Sequence, residues 1–216
     1  MAITTNSNLV ISMESARAAA VTLTAVSNAA PGVFTGTHSY AAGDILLLEL
    51  QGMTQMNNRV VEVFSVSTTV SFQVKDVGGT SALSTVGMGV FTSGTAKMLT
   101  MGTSLTQVGD WAPSGGDPKL VQFPTVTESV DASVVVGTNA ASYTGTVPWD
   151  PNDAGQKALK AAADSGTAKA FRVRYPSGRT CSFLGTVGFA QLPGGATQAV
   201  TTTPLTIALQ AAATYV

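Results

Sequence analysis

Apolar and polar residues alternate with period two through most of this chain, in short runs bounded by Gly, Asn and Pro and rich in β-branched Val and Thr. The pattern predicts a mainly β protein with strands near residues 8–13, 19–26, 32–38, 44–50, 59–66, 69–75, 95–101, 119–127, 142–148, 169–175, 179–190 and 197–210. The clearest unit is the hairpin about Pro176-Ser177-Gly178. Phe171, Val173 and Tyr175 point one way and Arg172 and Arg174 the other, and past the turn Cys181, Phe183, Val187 and Phe189 resume the apolar side. In the last strand Leu205, Ile207 and Leu209 alternate again, while Pro204, which lacks a ladder donor, predicts a bulge or an edge position.

One helix is predicted after Trp149. Asp150 is expected to cap it, Pro151 to take its first position, and Asp153 to place negative charge in its first turn. Its inner stripe reads as Ala154, Ala158, Leu159, Ala161 and Ala162, with Lys157 and Lys160 toward solvent and Ser165-Gly166 at its end. Gly78-Gly79-Thr80-Ser81 and the stretch 109–119, which holds Pro113, Gly115, Gly116 and Pro118, read as surface loops. Between roughly residues 19 and 95 the strands are short, with turn signals at Ala42-Gly43-Asp44 and Met56-Asn57-Asn58. Residues 19–95 are therefore expected to form an inserted small β-barrel-like domain, and residues 1–18 with 96–216 a β-sandwich or barrel scaffold carrying the helix.

Composition narrows the function classes. Charged residues make up 11% of the 216 residues, against about 25% in an average soluble domain. The net charge of −1 gives no electrostatic basis for tight nucleic-acid or anionic-membrane binding, and it permits close self-association. The strongest apolar run, Ile45-Leu46-Leu47-Leu48, stops at Glu49, far short of the roughly 18 residues of a membrane span. A soluble chain without membrane insertion is expected. The first 15 residues lack the basic start and apolar core of a secretion signal, and the single cysteine, Cys181, excludes an intrachain disulfide framework and suits a reducing cytosol.

Candidate chemistry is sparse. A hydrolase triad or metal site needs clustered His, Cys or carboxylates, whereas His38 and Cys181 stand alone. Turn or surface packing outweighs a ligand role for His38, and Cys181 reads as a small buried hydrophobe rather than a reactive thiol. Capping explains Asp150 and Asp153 better than an acid pair does, and Gly87-Met88-Gly89 lacks the rest of a dinucleotide fingerprint. No catalytic, metal or cofactor residue is expected. Arg172, Arg174 and Arg179 form one basic cluster, read as a solvated face or as subunit salt bridges, and hence as candidate subunit-interface residues. Trp111, in Gly109-Asp110-Trp111-Ala112-Pro113, either folds back on its own domain or anchors a neighbouring subunit.

Taken in order, several runs resemble the major tail tube protein of lambda-type, long-tailed bacteriophages: Ala141-Ser142-Tyr143-Thr144-Gly145-Thr146-Val147-Pro148-Trp149, Ala154-Gly155-Gln156-Lys157-Ala158-Leu159, Arg172-Val173-Arg174-Tyr175-Pro176-Ser177-Gly178 and Phe183-Leu184-Gly185-Thr186-Val187-Gly188. Lys119-Leu120-Val121 to Glu128-Ser129 adds to the match, which covers roughly 100 residues of the C-terminal half. His38-Ser39-Tyr40-Ala41-Ala42-Gly43-Asp44 with Gly52-Met53-Thr54-Gln55-Met56-Asn57-Asn58-Arg59 is similar instead to a small β-barrel repeat of phage structural proteins. The resemblance implies a non-enzymatic virion tail protein, assembled in the host cytoplasm into hexameric rings. The rings would stack around a tape measure protein, end at terminator and baseplate or tail-tip proteins, and pass double-stranded DNA without holding it. Glu128 and Asp131 would then be lumen or loop charges. A virion decoration or adhesin domain that binds host glycans is the alternative reading.

Overall fold

The computed structural model describes residues 8–123 and 132–216. Strand β1 (Val10–Met13) opens a first sheet and the chain crosses at once to a second, made of β2 (Ala16–Arg17), β3 (Val21–Leu23), β4 (Ala25–Val26), β5 (Val33–Thr35), β6 (Ile45–Gln51), β7 (Arg59–Thr68), β8 (Ser71–Asp76) and β9 (Ser93–Thr100). It returns through β10 (Thr103–Leu105) and β11 (Gly109–Gly115). Strands β12 (Pro118–Phe123) and β13 (Ala132–Thr138) pair only with each other, and then β14 (Ala141–Pro148), helix α1 (Ala154–Ser165), β15 (Lys169–Arg174), β16 (Thr180–Gly188), β17 (Thr202–Leu209) and β18 (Thr214–Tyr215) complete the first sheet. The fold is mainly β, in antiparallel sheets, as the alternation predicts.

The first sheet runs β10-β1-β15-β16-β17-β14-β11, with β18 alongside β16. Its inward positions are those the period assigns: Phe171, Val173, Cys181, Phe183, Val187, Phe189, Leu205 and Ile207 share one core with Ile11 and Met13, and α1 covers it through Leu159 and Ala162. Each such side chain contributes about 1.5–3 kcal/mol on full burial. The edge strands β10 and β11 are joined by only Thr106-Gln107-Val108, so the sheet curls until its two margins flank a groove of about 830 Å³.

The second sheet closes on itself. In the segment 21–26, β3 pairs with β9 while β4 pairs with β5, so the two ends of the order β9-β6-β7-β8-β5 are joined around Phe34, Leu46, Leu48, Val61, Val63 and Phe72. Leu47 points out of this barrel and, with Val60, Val77 and Leu99, packs on Ala170 and Leu184 of the first sheet. The unbroken run Ile45-Leu46-Leu47-Leu48 thus reflects a strand buried on both faces rather than a membrane segment. At the crossover the Glu14 carboxylate is buried. It accepts two hydrogen bonds from the Arg17 guanidinium, both 2.8 Å, and one from the Ala170 N–H, 3.0 Å, while Arg17 also donates to the Ala168 carbonyl, 2.9 Å. That bond to Glu14 raises the Arg17 pKa, against the opposing effect of burial.

Four expectations are corrected. Residues 109–115 form a strand, not a loop: Pro113 and the glycines are tolerated because β11 is an edge, paired with β14 alone. The helix cap is Asp153, whose Oδ1 accepts from the Gln156 N–H at 2.8 Å, because Asp150 is spent on a preceding turn, accepting from the Asn152 N–H at 2.9 Å. The buried stripe is therefore Gly155, Gln156, Leu159 and Ala162, with Ala154 and Ala161 exposed. A Cβ on Gly155 would lie 2.8 Å from the Ser104 carbonyl oxygen, so glycine lets α1 approach β10. Finally, His38 is buried, stacked on Tyr40 at 4.9 Å and edge-on to Phe72, with Nδ1 accepting from the Tyr40 N–H. Pro204 lies within β17, opposite Thr146, beyond the reach of β16, whose pairing begins at Thr206. It sits at a local edge, without a bulge.

Candidate assembly interface

Among the described residues, strands β12 and β13 pair with each other alone. Leu120 opposes Val135 and Val121 opposes Val134 across a ladder that touches no other strand. Successive side chains of a strand point to opposite faces, so the run Val134-Val135-Val136 places apolar groups on both sides. All are open to solvent, with Leu120 58%, Val135 61% and Val136 60% exposed. This arm leaves the first sheet at Gly115 and Gly116, both left-handed with φ of 77° and 82°. A Cβ on Gly115 would collide with the Ala140 carbonyl oxygen, so the elbow requires glycine there. Beside it a cavity of about 420 Å³ separates the arm's base from Leu209 and Tyr215.

The edge strand that carries the arm is pinned from inside. The β11 register shifts between Gly109 and Ala112, which turns Trp111 inward onto Tyr143 at 4.8 Å. The stack continues from Tyr143 to Phe183 at 5.0 Å and from Phe183 to Phe171 at 5.5 Å. Trp111 therefore folds back on its own core, and its buried Nε1 has no partner among the described residues. The Tyr143 and Tyr215 hydroxyls share a 2.8 Å hydrogen bond above Cys181, and burial raises the pKa of all three groups. Cys181 is a shielded thiol, which suits packing and not nucleophilic chemistry.

The basic cluster is divided. Arg172 is half-buried on the face of β15 shared with Ala170, which meets the barrel, whereas Arg174 and Arg179 are exposed. Burial, then the neighbouring Arg174, lower the Arg172 pKa, and Glu62 of β7 opposes this. None of the three forms an ion pair among the described residues. Glu128 and Asp131 lie outside the described residues. Strand β13 was not expected; the β-branched run Val134-Val135-Val136 facing Leu120-Val121 is the signal that marks it.

Among the described residues no group of three or more His, Cys, Asp or Glu side chains could hold a metal ion, and no helix is long and apolar enough to cross a membrane. No curated protein matches the chain at a significant level. The family model for phage tail tube protein, TTP, matches residues 51–216.

Proposed function

Because this chain belongs to the phage tail tube protein family, through the match over residues 51–216, we propose that its copies close into hexameric rings whose stack is a conduit for double-stranded DNA. As a member it is a structural, self-assembling component of the virion tail and not an enzyme. Ring closure follows from the margins of the first sheet. Among the described residues β11 pairs with β14 alone and β10 with β1 alone, so both present unpaired N–H and C=O groups to a neighbour. Pairing there completes each sheet with the next subunit.

In this reading residues 19–95, which fall within the barrel strands β2–β9, form an inserted module on the scaffold. Arg172, Arg174 and Arg179 face the barrel or the outside rather than the bore, and Glu128 and Asp131 are lumen or loop charges. A bore poor in cations does not retain DNA, since each neutralised phosphate would add salt-dependent affinity. The rings surround a tape measure protein, the ends meet terminator and tip proteins, and assembly takes place in the host cytoplasm. The family match carries the proposal. Negative-stain microscopy of the purified protein should show annuli or hollow cylinders. The doubly substituted edge Ala112→Lys with Ser114→Lys, both positions exposed, should leave folded monomers. Solid polymers without a bore, or ring formation undisturbed by the edge substitutions, would overturn it.

A further inference from the structure

We propose that the outer face of β3, β9 and β6 on the barrel binds a neutral saccharide through Glu49, Gln51, Asn57, Thr95 and Phe91. The site belongs to the barrel alone and does not depend on whether copies close into rings.

Register sets the face. Along the β6–β9 ladder the side chains that point out of the barrel pair as Ile45↔Leu99, Leu47↔Lys97, Glu49↔Thr95 and Gln51↔Ser93. Ile45, Leu47 and Leu99 pack toward the scaffold. Past them the same face turns polar and borders a cavity of about 510 Å³, a size within the roughly 300–1,000 Å³ of small-molecule sites. Thr22 of β3, opposite Thr95, continues the polar row, and Phe91, partly packed against the barrel core, also lines the cavity.

The polar groups are fixed in place yet keep bonding capacity. Glu49 is held by Lys97 Nζ at 2.8 and 2.7 Å and accepts from the Thr95 hydroxyl at 3.3 Å. Gln51 Oε1 accepts from the Ser93 hydroxyl at 3.2 Å and Asn57 Oδ1 from the Leu50 N–H at 2.9 Å, which leaves both amide nitrogens to donate to a ligand. A carboxylate acceptor beside two amide donors matches the hydroxyls of a sugar ring, each of which donates and accepts at once, and an aromatic wall suits the ring's apolar face. An anion would meet the Glu49 carboxylate, and a cation would have to displace Lys97, so the ligand is neutral. A peptide strand finds no open margin on β9, which is paired on both sides, with β3 and with β6.

Titration of the purified protein with maltohexaose, chitotetraose and mannotriose, followed by saturation-transfer NMR, tests this, with sialyllactose and inorganic phosphate as anionic controls. At least one neutral saccharide should bind and neither anion should. Asn57→Asp and Gln51→Glu, both at exposed positions, each keep the oxygen that the fold uses and remove the free donor. Each should weaken saccharide binding about tenfold while the thermal midpoint stays unchanged. Binding of none of the three saccharides, binding untouched by both substitutions, or anions bound as well as saccharides would each overturn the site. Rings without saccharide binding would leave the tube reading standing, whereas saccharide binding by protein that never forms rings would count against that reading alone.

Discussion

The barrel of residues 16–100 and the scaffold that follows it are built from similar strands but finished differently. All four cations of the barrel segment are ion-paired: Arg17 with Glu14, Arg59 with Asp76, Lys75 with Glu62 and Lys97 with Glu49. Of the seven cations in residues 101–216 only Lys160 is paired among the described residues, with Asp164 one helical turn away. The barrel sheet closes on itself, whereas the scaffold leaves two margins open and extends an apolar arm. A closed sheet with neutralised charges is complete as a monomer. In the proposed ring, open edges and uncompensated apolar strands acquire partners when copies meet, so that proposal puts assembly in the unfinished half.

The largest expected effect comes from severing the two halves. Glu14→Ala removes the carboxylate acceptor for Arg17 and for the Ala170 N–H at the crossover, leaving the guanidinium with the Ala168 carbonyl but no counter-charge and a buried N–H unpaired. Breaking a buried pair on one side costs about 3–5 kcal/mol. Chemical denaturation should show the midpoint fall and one transition separate into two, barrel and scaffold. Retention of a single unshifted transition would mean that the apolar contacts of Leu47, Val60, Ala170 and Leu184 alone couple them.

Alkali should distinguish the halves next. An acid whose folded pKa lies above its unfolded value holds its proton more tightly when folded. Its contribution is full below the unfolded pKa and is lost as pH rises through the folded one. The scaffold holds four such groups, Cys181, Tyr143, Tyr175 and Tyr215, each raised first of all by burial. The barrel holds Tyr40, pushed up to about 12 by burial and by Asp44. Between about pH 9 and 12 the near-ultraviolet signal of the Trp111–Tyr143–Phe183 stack should fade before the barrel unfolds. Tyrosinate absorbance should rise with that loss and not ahead of it. Early loss of the barrel would reverse the comparison.

A smaller change sits at the elbow. Gly115→Ala forces a left-handed residue to carry a Cβ, at about 1–2 kcal/mol, and aims it at the Ala140 carbonyl oxygen. Thermal stability of the monomer should drop by that modest amount, while tube length should fall much more because the arm leaves at a different angle. Equal effects on both would show that the elbow serves the scaffold alone.

How much of this could be read in advance depended on whether neighbours in sequence were neighbours in space. The alternation from Phe171 to Phe189 assigns a core face correctly because β15 and β16 form a hairpin and share a partner set. Strand β11 was obscured, since Pro113, Gly115 and Gly116 carry turn chemistry and only distant β14 and the Trp111 stack make the stretch a strand. The helix start moved by one residue pair of competing caps: Asp150 and Asp153 are equivalent in composition, and the buried Gln156 decides, donating to the Pro148 carbonyl at 2.7 Å while accepting from the Asp150 N–H. The burial of His38 was obscured because its cover, besides Tyr40 two residues on, comes from Phe72 on the distant β8. For the β12–β13 arm, the apolar residues were visible, but their exposure was not, as exposure is a property of what fails to pack against them.

The smallest effect is ionic. Lys97 Nζ lies 2.8 and 2.7 Å from the two Glu49 oxygens, both side chains partly open to solvent, and such a pair contributes about 0.2–1 kcal/mol. Lys97→Gln should lower the barrel's denaturation midpoint by that amount in dilute buffer, and the difference from wild type should shrink as salt rises and screens the pair. The scaffold's transition should show little salt response, since its helix pair Lys160–Asp164 contributes only about 0.3–0.5 kcal/mol. A scaffold more salt-sensitive than the barrel would imply that Arg172, Arg174 or Arg179 finds a carboxylate in solution, and charge neutralisation would then no longer separate the finished half of the molecule from the assembling one.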